Sequence, residues 1–366
     1  ATMILRGAIS GFGEVAAQAH LAGWRTRPEV SIVAIHDPVS ERRHHAMRLI
    51  PNIRVYDDLE LMLDGERLDF VDVASPPAYH AATARMALAA GAHVLVEKPL
   101  CLARDEFESL CAAASSRGRV LMCVHNWKHA ATYRLAHDLI VAGRLGEMRY
   151  VALDRLRTAP AGVGRGASGR WRLGAASGGG ILVDHGWHVF YLMRWLMGGL
   201  DPAAISAFMG VGQAAPVEDI ADFRVIFPGD RIASAHLSWR SPVRRTRAKL
   251  YGSEAALEID GDRVMLTARS GTSENLSEDL SPAPEADDSY HSAWFAGVAA
   301  DFERAVYQSV GQSIGQCIGQ SIEQSVENGI ESAEVAENLA EARAALTLTL
   351  GAQESSRQGG SLVKLV

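Results

Sequence analysis

Apolar and polar positions change their spacing once along this chain, near residue 123. Before that point, short apolar runs alternate with amphipathic segments such as Pro77 to Ala90. This β-α-β rhythm predicts a parallel, doubly wound sheet. The apolar runs that predict its buried strands are Met3 to Ser10, Ser31 to Asp37, Phe70 to Ser75, His93 to Glu97 and Val120 to Val124.

After His125 the apolar positions alternate over longer runs with few helical patterns between them, which favours an antiparallel sheet with one covered face. These runs are Met148 to Leu156, Ala221 to Phe227, Ile232 to Arg240, Arg247 to Tyr251 and Ala256 to Ile259. A chain of 366 residues exceeds the usual size of a single core. We therefore expect two α/β domains, residues 1–123 and residues 124–366.

Two segments differ from the rest in composition. Residues 158–177 are rich in Gly, Ala and Arg, which predicts a loop that could cover a site. Residues 309–332 repeat a four-residue unit, Ser-Ile-Gly-Gln and its variants, which places Val310, Ile314 and Ile318 on a slowly drifting helical stripe. We interpret these repeats as an expansion between two helices that carries no chemistry.

Charge and composition exclude several classes of protein. The formal charge of -7 argues against a nucleic-acid partner, which needs a surface excess of Lys and Arg. The four cysteines form no C-x-x-C pair and have no histidine spacing suited to zinc, so we expect free thiols and no metal. The apolar runs are too short for a membrane span, and the first residues lack a secretory pattern. A cytoplasmic protein is expected.

A dinucleotide-binding loop is predicted at Gly11-x-Gly13-x-x-Ala16, after a buried strand and before a helical pattern. Glycines there let backbone amides approach a pyrophosphate at a helix amino terminus. We expect cofactor contacts from Gly11, Phe12, Gly13, Glu14 and Val15. Asp37 ends the next strand, where a carboxylate can bind the ribose hydroxyls and favour NAD. Arg42 and Arg43 leave NADP open, and Asp37-Pro38 also fits a simple strand-to-turn ending.

Two further motifs end strands at the same sheet edge, where open α/β folds bind ligands. Ser75, Pro76 and His80 follow one strand, and His80 could contact the nicotinamide half of the cofactor or cap the next helix. Glu97 and Lys98 follow the next strand, and we expect both to contact the cofactor, together with Ser75, Pro76 and His80. A lysine beside the cofactor can stabilise a developing alkoxide, although a surface lysine before a turn proline is the alternative.

Asp184 and His188 follow Gly178-Gly179-Gly180 at a spacing that puts both on one face of an α-helix. An imidazole, with an unperturbed pKa near ~6.5, can take a hydroxyl proton at neutral pH while a carboxylate orients it or binds a second hydroxyl. His185 projects about 100° away from Asp184 on such a helix. A structural Asp and His pair is the alternative.

These residues carry a close resemblance to the Gfo/Idh/MocA family. The matching motifs are G-x-G-x-x-A at Gly11 to Ala16, Pro76 to His80, A-G-x-H-V-L-V-E-K-P at Ala90 to Pro99, and S-G-G-G-I-L-V-D-x-G-x-H at Ser177 to His188. The resemblance implies an amino-terminal Rossmann domain and a carboxy-terminal α/β domain with a large, mainly antiparallel sheet, often used for homodimers or homotetramers.

The resemblance also implies a substrate site formed by Lys98, Asp184 and His188, with His188 as general base and a sugar or cyclitol as substrate. We add His125, Asn126, Trp171 and His185 as candidate substrate contacts. Three departures affect the substrate: Tyr191 replaces an Asp that many relatives carry, His125-Asn126-Trp127-Lys128 replaces a segment that more often holds an Arg-Phe pair, and the four-residue repeats extend the carboxy-terminal region.

Three functions fit this sequence. The first is an NAD(P)-dependent dehydrogenase of a secondary alcohol. The second is a glycosidase or lyase that oxidises its sugar transiently and keeps NAD bound. The third is a non-catalytic NAD(P)-binding regulator, which the retained Lys98, Asp184 and His188 disfavour.

Overall fold

The computed structural model describes residues 4–162, 169–212, 216–280, 291–319 and 332–365, without the side chains of residues 279 and 310–319. The chain forms two compact units. One contains residues 1–126 and 290–342, and the other contains residues 127–289 and 343–366. The predicted division at residue 123 therefore differs from the structure, because residues 290–342 return to the amino-terminal unit.

Fifteen strands and nine α-helices lie within the described residues. The strands are β1 (Leu5–Ser10), β2 (Val30–His36), β3 (Arg54–Tyr56), β4 (Phe70–Val73), β5 (His93–Val96), β6 (Leu121–Cys123), β7 (Met148–Leu156), β8 (Ala204–Val211), β9 (Glu218–Phe227), β10 (Arg231–Ser238), β11 (Arg245–Gly252), β12 (Ala255–Asp260), β13 (Arg263–Ala268), β14 (Ser273–Asn275) and β15 (Val363–Lys364). The helices are α1 (Leu21–Trp24), α2 (Ser40–Leu49), α3 (Leu59–Gly65), α4 (His80–Ala89), α5 (Arg104–Ser116), α6 (Ala131–Val141), α7 (Trp187–Leu196), α8 (Ser292–Gly319) and α9 (Ala333–Arg357).

The first unit is built on a six-stranded sheet in the order β3-β2-β1-β4-β5-β6, with all neighbouring strands parallel. This is the doubly wound Rossmann order, whose ligand crevice lies at the carboxyl ends of the strands beside β1 and β4. The predicted fold class is confirmed. The sequence pattern did not predict strand β3, because this strand is three residues long and only partly buried.

The second unit is built on a nine-stranded sheet in the order β14-β13-β12-β11-β7-β10-β9-β8-β15. Its pairs are antiparallel except for β7 and β10, which run parallel. The prediction of a large, mainly antiparallel sheet is confirmed. The sequence did not predict strands β8, β13, β14 and β15, of which the last two are short and contain no buried residue.

The helical pattern over the four-residue repeats is followed by α8 as far as Gly319. The rest of the predicted repeat segment, residues 320–331, lies outside the described residues, as do residues 163–168 of the predicted loop. In the part of the chain that the structure describes, no helix combines the length and apolar character needed to cross a membrane.

A buried histidine explains why residues 290–342 belong to the first unit. His20 is fully buried, and the ring of Phe295 from α8 stacks on it with 3.9 Å between centroids. The Nδ1 atom of His20 lies 2.9 Å from an Asp72 carboxylate oxygen on β4, and Trp24 donates to the same oxygen at 2.7 Å. Helix α8 thus closes an aromatic and ionic cluster that the parallel sheet alone would leave uncovered.

The charges in this cluster support one another. The Nε2 atom of His20 lies 3.2 Å from Glu97 Oε1, so one imidazole bridges two carboxylates. Burial by itself would lower the pKa of His20, but Asp72 and Glu97 raise it to about 9. Burial would raise the pKa of Glu97, but the hydrogen bond and charge of His20 hold it below its ordinary value. His20 is therefore an imidazolium at neutral pH.

This cluster predicts a pH-dependent stability. Because the folded pKa of His20 lies above its unfolded value, its contribution is complete below about pH 6.5 and is lost as the pH rises toward 9. A shift of this size corresponds to about 3 kcal/mol, or about 6–12 °C in Tm. We expect His20→Gln to lower Tm most near pH 6 and progressively less toward pH 9, as measured by calorimetry.

The matched control is His236→Gln, because His236 also contacts an aspartate, Asp222, but is exposed. Its Tm difference from the wild type should be small at every pH. A Tm loss in His20→Gln that stays constant from pH 6 to pH 9 would show that packing against Phe295, and not charge, is what His20 contributes.

Candidate active site

The glycine loop after β1 has the geometry of a phosphate cradle. Gly11 adopts a φ of 91°, and a Cβ added there would lie 2.6 Å from the backbone of Ser75, so only glycine fits. Gly13 has nothing within 4 Å of the corresponding position. The loop therefore packs tightly on its protein side and is open where a pyrophosphate would approach, which fits the predicted dinucleotide.

The helix after this loop begins with a π-helical turn, Ala16–His20, and continues as α1. The Leu21 amide donates to the Ala16 carbonyl, five residues back. The sequence predicted a plain α-helix. Turns of this kind are rare and occur most often at functional sites. Here the turn ends on His20, which reaches Asp72 and Glu97.

Asp37 lies directly after β2 and organises the glycine loop. Its Oδ2 accepts the Phe12 amide at 2.7 Å, and its Oδ1 accepts the Val39 amide at 2.9 Å. Arg42 Nη1 lies 3.4 Å from Oδ2, and Arg43 donates to the Asp37 carbonyl. The side chain is buried among these partners. The carboxylate therefore has a structural role in holding the loop. Its contact with the cofactor ribose stays a prediction.

Ser75 and His80 lie where the predicted cofactor crevice meets β4. The Ser75 hydroxyl oxygen is buried and has no hydrogen-bond partner among the described residues, which fits a polar cofactor atom as its partner. Pro76 precedes the turn Pro77–Tyr79. His80 is fully buried, with Nδ1 2.6 Å from the Pro99 carbonyl and Nε2 2.7 Å from the Ser75 carbonyl. It links the loops after β4 and β5, and its contact with nicotinamide stays a prediction.

Burial lowers the pKa of His80 despite these two carbonyl contacts, so the ring is neutral at pH 7. A neutral imidazole donates one hydrogen bond only, so one of the two carbonyls receives the single N–H. The ring is in contact with the backbone of both loops. This fixes the start of α4 and the residue after Lys98 in a common frame.

Lys98 follows β5 in a loop that Glu97 holds in place. Glu97 accepts the Lys98 amide through Oε2 at 2.8 Å and contacts His20 through Oε1. The Glu97 carboxylate therefore faces the interior of the unit, and its predicted cofactor contact would be indirect. The Lys98 backbone is attached to the same buried cluster as the glycine-loop helix, which suits a side chain that must be placed accurately.

In the second unit, the predicted helix after Gly180 begins as a π-helical turn, Leu182–Gly186, before α7. The predicted face sharing of Asp184 and His188 assumed an α-helix, whereas the Trp187 amide donates to Leu182 O, five residues back. Asp184 Oδ2 accepts from Arg172 Nε at 3.0 Å, and His185 Nδ1 lies 3.6 Å from the same oxygen.

The partly buried carboxylate of Glu218 supports the start of this turn. Gly180 has a φ of 108°, and a Cβ there would clash with the Glu218 carboxylate. Glu218 Oε1 accepts the Leu182 amide at 3.2 Å, as a carboxylate does at a helix start. Burial raises the pKa of Glu218 above its ordinary value. The third glycine of the triplet is therefore favoured by its positive φ at the turn that carries Asp184, and the Glu218 carboxylate occupies the space beside it.

His188 is held rigidly by aromatic neighbours. The Trp127 ring stacks on it with 4.0 Å between centroids and 5° between planes. The Nδ1 atom of His188 lies 2.9 Å from the Tyr191 hydroxyl oxygen, which also accepts the Trp127 amide at 3.0 Å. Tyr191 thus contacts His188 at the position where an Asp was expected from the family pattern, but it brings no negative charge.

The remaining candidate substrate residues have different surroundings. His125 is buried in the first unit with Nδ1 3.0 Å from Glu341, which indicates a structural role. Asn126 has a buried Oδ1 without a partner among the described residues. Trp171 lies in the turn Arg170–Leu173, with the Arg172 guanidinium 4.5 Å from its ring. His185 Nδ1 accepts from Trp239 Nε1 at 3.2 Å. Their substrate contacts stay predictions.

The structure adds residues that the sequence reading passed over. Arg155 lies on β7 with its guanidinium 3.8 Å from the Trp127 ring centroid, so it stacks on the residue that covers His188. A signal was present, because Val151, Leu153 and Arg155 share one face of the strand and a charge there interrupts an apolar phase. Among the described residues, no group of three or more side chains could hold a metal ion.

Comparisons with known proteins agree with this architecture. Residues 5–125 match the model of an oxidoreductase family with an NAD-binding Rossmann fold, and residues 133–258 match the GFO/IDH/MocA C-terminal domain. D-glucoside 3-dehydrogenase of Escherichia coli is 31% identical over 194 residues, 53% of this chain and 54% of that protein. 1,5-anhydro-D-fructose reductase of Ensifer adhaerens is 30% identical over 218 residues, 58% of this chain and 63% of that protein.

The chain thus spans about half the length of the Escherichia coli relative. Among solved structures, an inositol dehydrogenase homolog from Azotobacter vinelandii complexed with NAD⁺ has a TM-score of 0.79 at 22% identity, covering 99% of this chain and 97% of that one. At this identity the likeness concerns the fold. The two family models together cover both the Rossmann unit and most of the second sheet, and on that basis the chain belongs to the GFO/IDH/MocA family of oxidoreductases.

Proposed function

We propose that this protein transfers a hydride between NAD and a secondary alcohol, or the matching ketone, of a sugar or cyclitol. The observation that carries the proposal is the immobilised His188, stacked on Trp127 and contacted at Nδ1 by Tyr191. A general base must be held within reach of its proton, and this ring has little freedom to turn. Family membership and sugar-active relatives support the substrate class.

NAD, when bound, supplies the hydride acceptor. The residues that would hold it are the amides of Gly11 to Gly13 at the pyrophosphate, the Asp37 carboxylate at the ribose, and Ser75 with its buried hydroxyl. The open space at Gly13 fits this assignment. A carboxylate repels the 2′-phosphate that distinguishes NADP, so NAD is the proposed cofactor.

His188 takes the proton of the substrate hydroxyl in this proposal. The Tyr191 oxygen has two lone pairs and can accept both the Trp127 amide and an Nδ1–H of His188. In that arrangement the proton of the neutral imidazole lies on Nδ1, and Nε2 is the basic nitrogen. Tyr191 then replaces a carboxylate as the group that fixes the tautomer.

Lys98 and Asp184 have supporting roles. Lys98 donates to the substrate oxygen and stabilises the negative charge that develops on it as the proton leaves. Asp184 accepts hydrogen bonds from a neighbouring hydroxyl while Arg172 holds its Oδ2. These roles call for a substrate with more than one hydroxyl, which favours sugars and cyclitols over simple alcohols.

The first prediction from this proposal concerns cofactor choice. The wild type should bind NAD more tightly than NADP in fluorescence titrations. Asp37→Asn should narrow the difference about 10-fold, because it removes the charge and leaves an oxygen for the Phe12 amide. Asp222→Asn, at an exposed aspartate, is the matched control. A wild type that prefers NADP would contradict the role of Asp37 and point to Arg42 or Arg43.

The second prediction concerns Lys98. Lys98→Met should lower kcat by about 100-fold and change the Kd of NAD by less than about 3-fold, since an interaction that strengthens in the transition state contributes to rate more than to binding. Steady-state kinetics and NAD titration measure the two effects. Lys249→Met, at an exposed lysine beside Glu258, should leave both unchanged. Normal turnover in Lys98→Met would remove Lys98 from the mechanism.

The third prediction separates the base from the group that positions it. His188→Gln should lower kcat by about 10² to 10⁴, the usual contribution of a general base. Tyr191→Phe keeps the ring and removes the hydroxyl, so kcat should fall about 10-fold with little change in KM. Tyr251→Phe serves as the control. If Tyr191→Phe raised KM by the same factor by which it lowered kcat, a general packing defect and not misplacement of His188 would be the cause.

A further inference from the structure

Two arginines at the end of β7 share a single hydroxyl oxygen. Thr246 Oγ1 on β11 accepts from Arg155 Nη1 at 2.7 Å and from Arg157 Nη2 at 3.3 Å. Thr246 lies directly opposite Arg155 in the antiparallel pair, and Arg157 is two residues further along, on the same face. One neutral oxygen thus accepts hydrogen bonds from two guanidinium groups of like charge.

Among the described residues, no carboxylate is in hydrogen-bond contact with Arg157. Its Nη1 donates to the carbonyls of Leu156 and Arg245, and these with Thr246 are neutral acceptors. Burial and the charges of Arg155 and Arg244 lower the pKa of Arg157 to about 9, and Asp184 opposes this only in part. A partly buried guanidinium in such surroundings is costly unless an anion joins it.

These guanidinium groups lie around the residues proposed for chemistry. Arg155 is 5% exposed and stacks on Trp127, whose other neighbour is His188. Arg172 bonds Asp184, and Asp184 also acts electrostatically on Arg157. We call Arg155, Arg157 and Arg172 the arginine cluster: Thr246 links the first two, and Asp184 links Arg157 to Arg172 within the same unit.

We infer that the arginine cluster recognises an anionic group on the substrate, a carboxylate or a phosphate, with Arg157 as its principal contact. The inference rests on the proposed function and narrows its substrate to a charged sugar or cyclitol. Carboxylate and phosphate present paired oxygens that match the guanidinium fork, and both would relieve the repulsion between Arg155 and Arg157. A neutral sugar would leave that repulsion in place.

The test is binding to NAD-saturated protein, so that the dinucleotide site is filled. Isothermal titration with D-glucose, D-glucuronate and D-glucose 6-phosphate compares one neutral sugar with a carboxylate and a phosphate. At 50 mM NaCl we expect one or both anions to bind at least about 10-fold more tightly than D-glucose. The tighter of the two identifies the anionic group. An absence of any preference for the anions overturns the inference.

Arg157→Met should reduce the preference for the anion by about 10-fold or more and leave the Kd of NAD unchanged. Arg149→Met is the matched control, since Arg149 lies on the same strand and is exposed. A preference that survives Arg157→Met contradicts the assignment to Arg157. If that variant does not fold, Arg157→Lys and the salt dependence of the wild type decide: anion affinity should fall between 50 and 500 mM NaCl, and an unchanged affinity overturns the inference.

The test of the arginine cluster and the test of the proposed function can fail independently of each other. Selective binding of an anionic sugar without NADH formation would support the arginine cluster and contradict the hydride-transfer proposal. NADH formation with neutral sugars, together with no preference for anions, would support hydride transfer and contradict the role of the cluster.

Discussion

The first unit depends on one buried imidazolium. His20 joins the helix after the glycine loop to Asp72 on β4 and to Glu97 at the end of β5. A buried charge is tolerated only when it is paired and hydrogen-bonded, and here both carboxylates and the Trp24 indole take part. Because Glu97 also accepts the Lys98 amide, the same cluster holds the lysine loop. Phe295 completes the cluster from a distant part of the chain.

The second unit uses stacking where many enzymes use a carboxylate. His188, Trp127 and Arg155 form three stacked layers, and Tyr191 bonds both the imidazole and the Trp127 backbone. A neutral phenol fixes the orientation of the ring and adds no negative charge beside it, so the proposed base gains no carboxylate partner from Tyr191. The positive groups around it are arginines, which suits a substrate that itself brings a negative charge.

Sequence periodicity predicted both sheets because each has a clear pattern: continuous apolar runs for the parallel sheet and alternation for the antiparallel one. Short or exposed strands such as β3 and β14 lack either pattern and were missed. The π-helical turns before α1 and α7 were also missed, since apolar spacing does not distinguish them from α-helix over one turn. The return of α8 to the first unit depends on packing of Phe295, which local sequence does not encode.

The sequence motifs identified the residues of the candidate site but not the contacts that these residues make. The positions of Gly11, Asp37, Lys98, Asp184 and His188 follow from strand ends and glycines. Their partners do not, because Arg172, Trp127 and Tyr191 reach them through tertiary contacts. Of the two arginines at the end of β7, only Arg155 gives a signal in the sequence pattern, because it is a charged residue at a buried position of the strand. Contacts between side chains that are far apart in the sequence could therefore be identified only from the structure.

Isotope transfer tests the central claim, hydride transfer to NAD, most directly. The protein is incubated with NAD and with uniformly deuterated D-glucose, D-glucuronate or myo-inositol, and the cofactor is analysed by mass spectrometry and absorbance at 340 nm. The account predicts that NADH accumulates with turnover. Each NADH should carry one deuterium atom, transferred as deuteride from the oxidised carbon of the substrate. Conversion of substrate without net NADH, as in transient oxidation by a glycosidase, or NADH without deuterium, would contradict it.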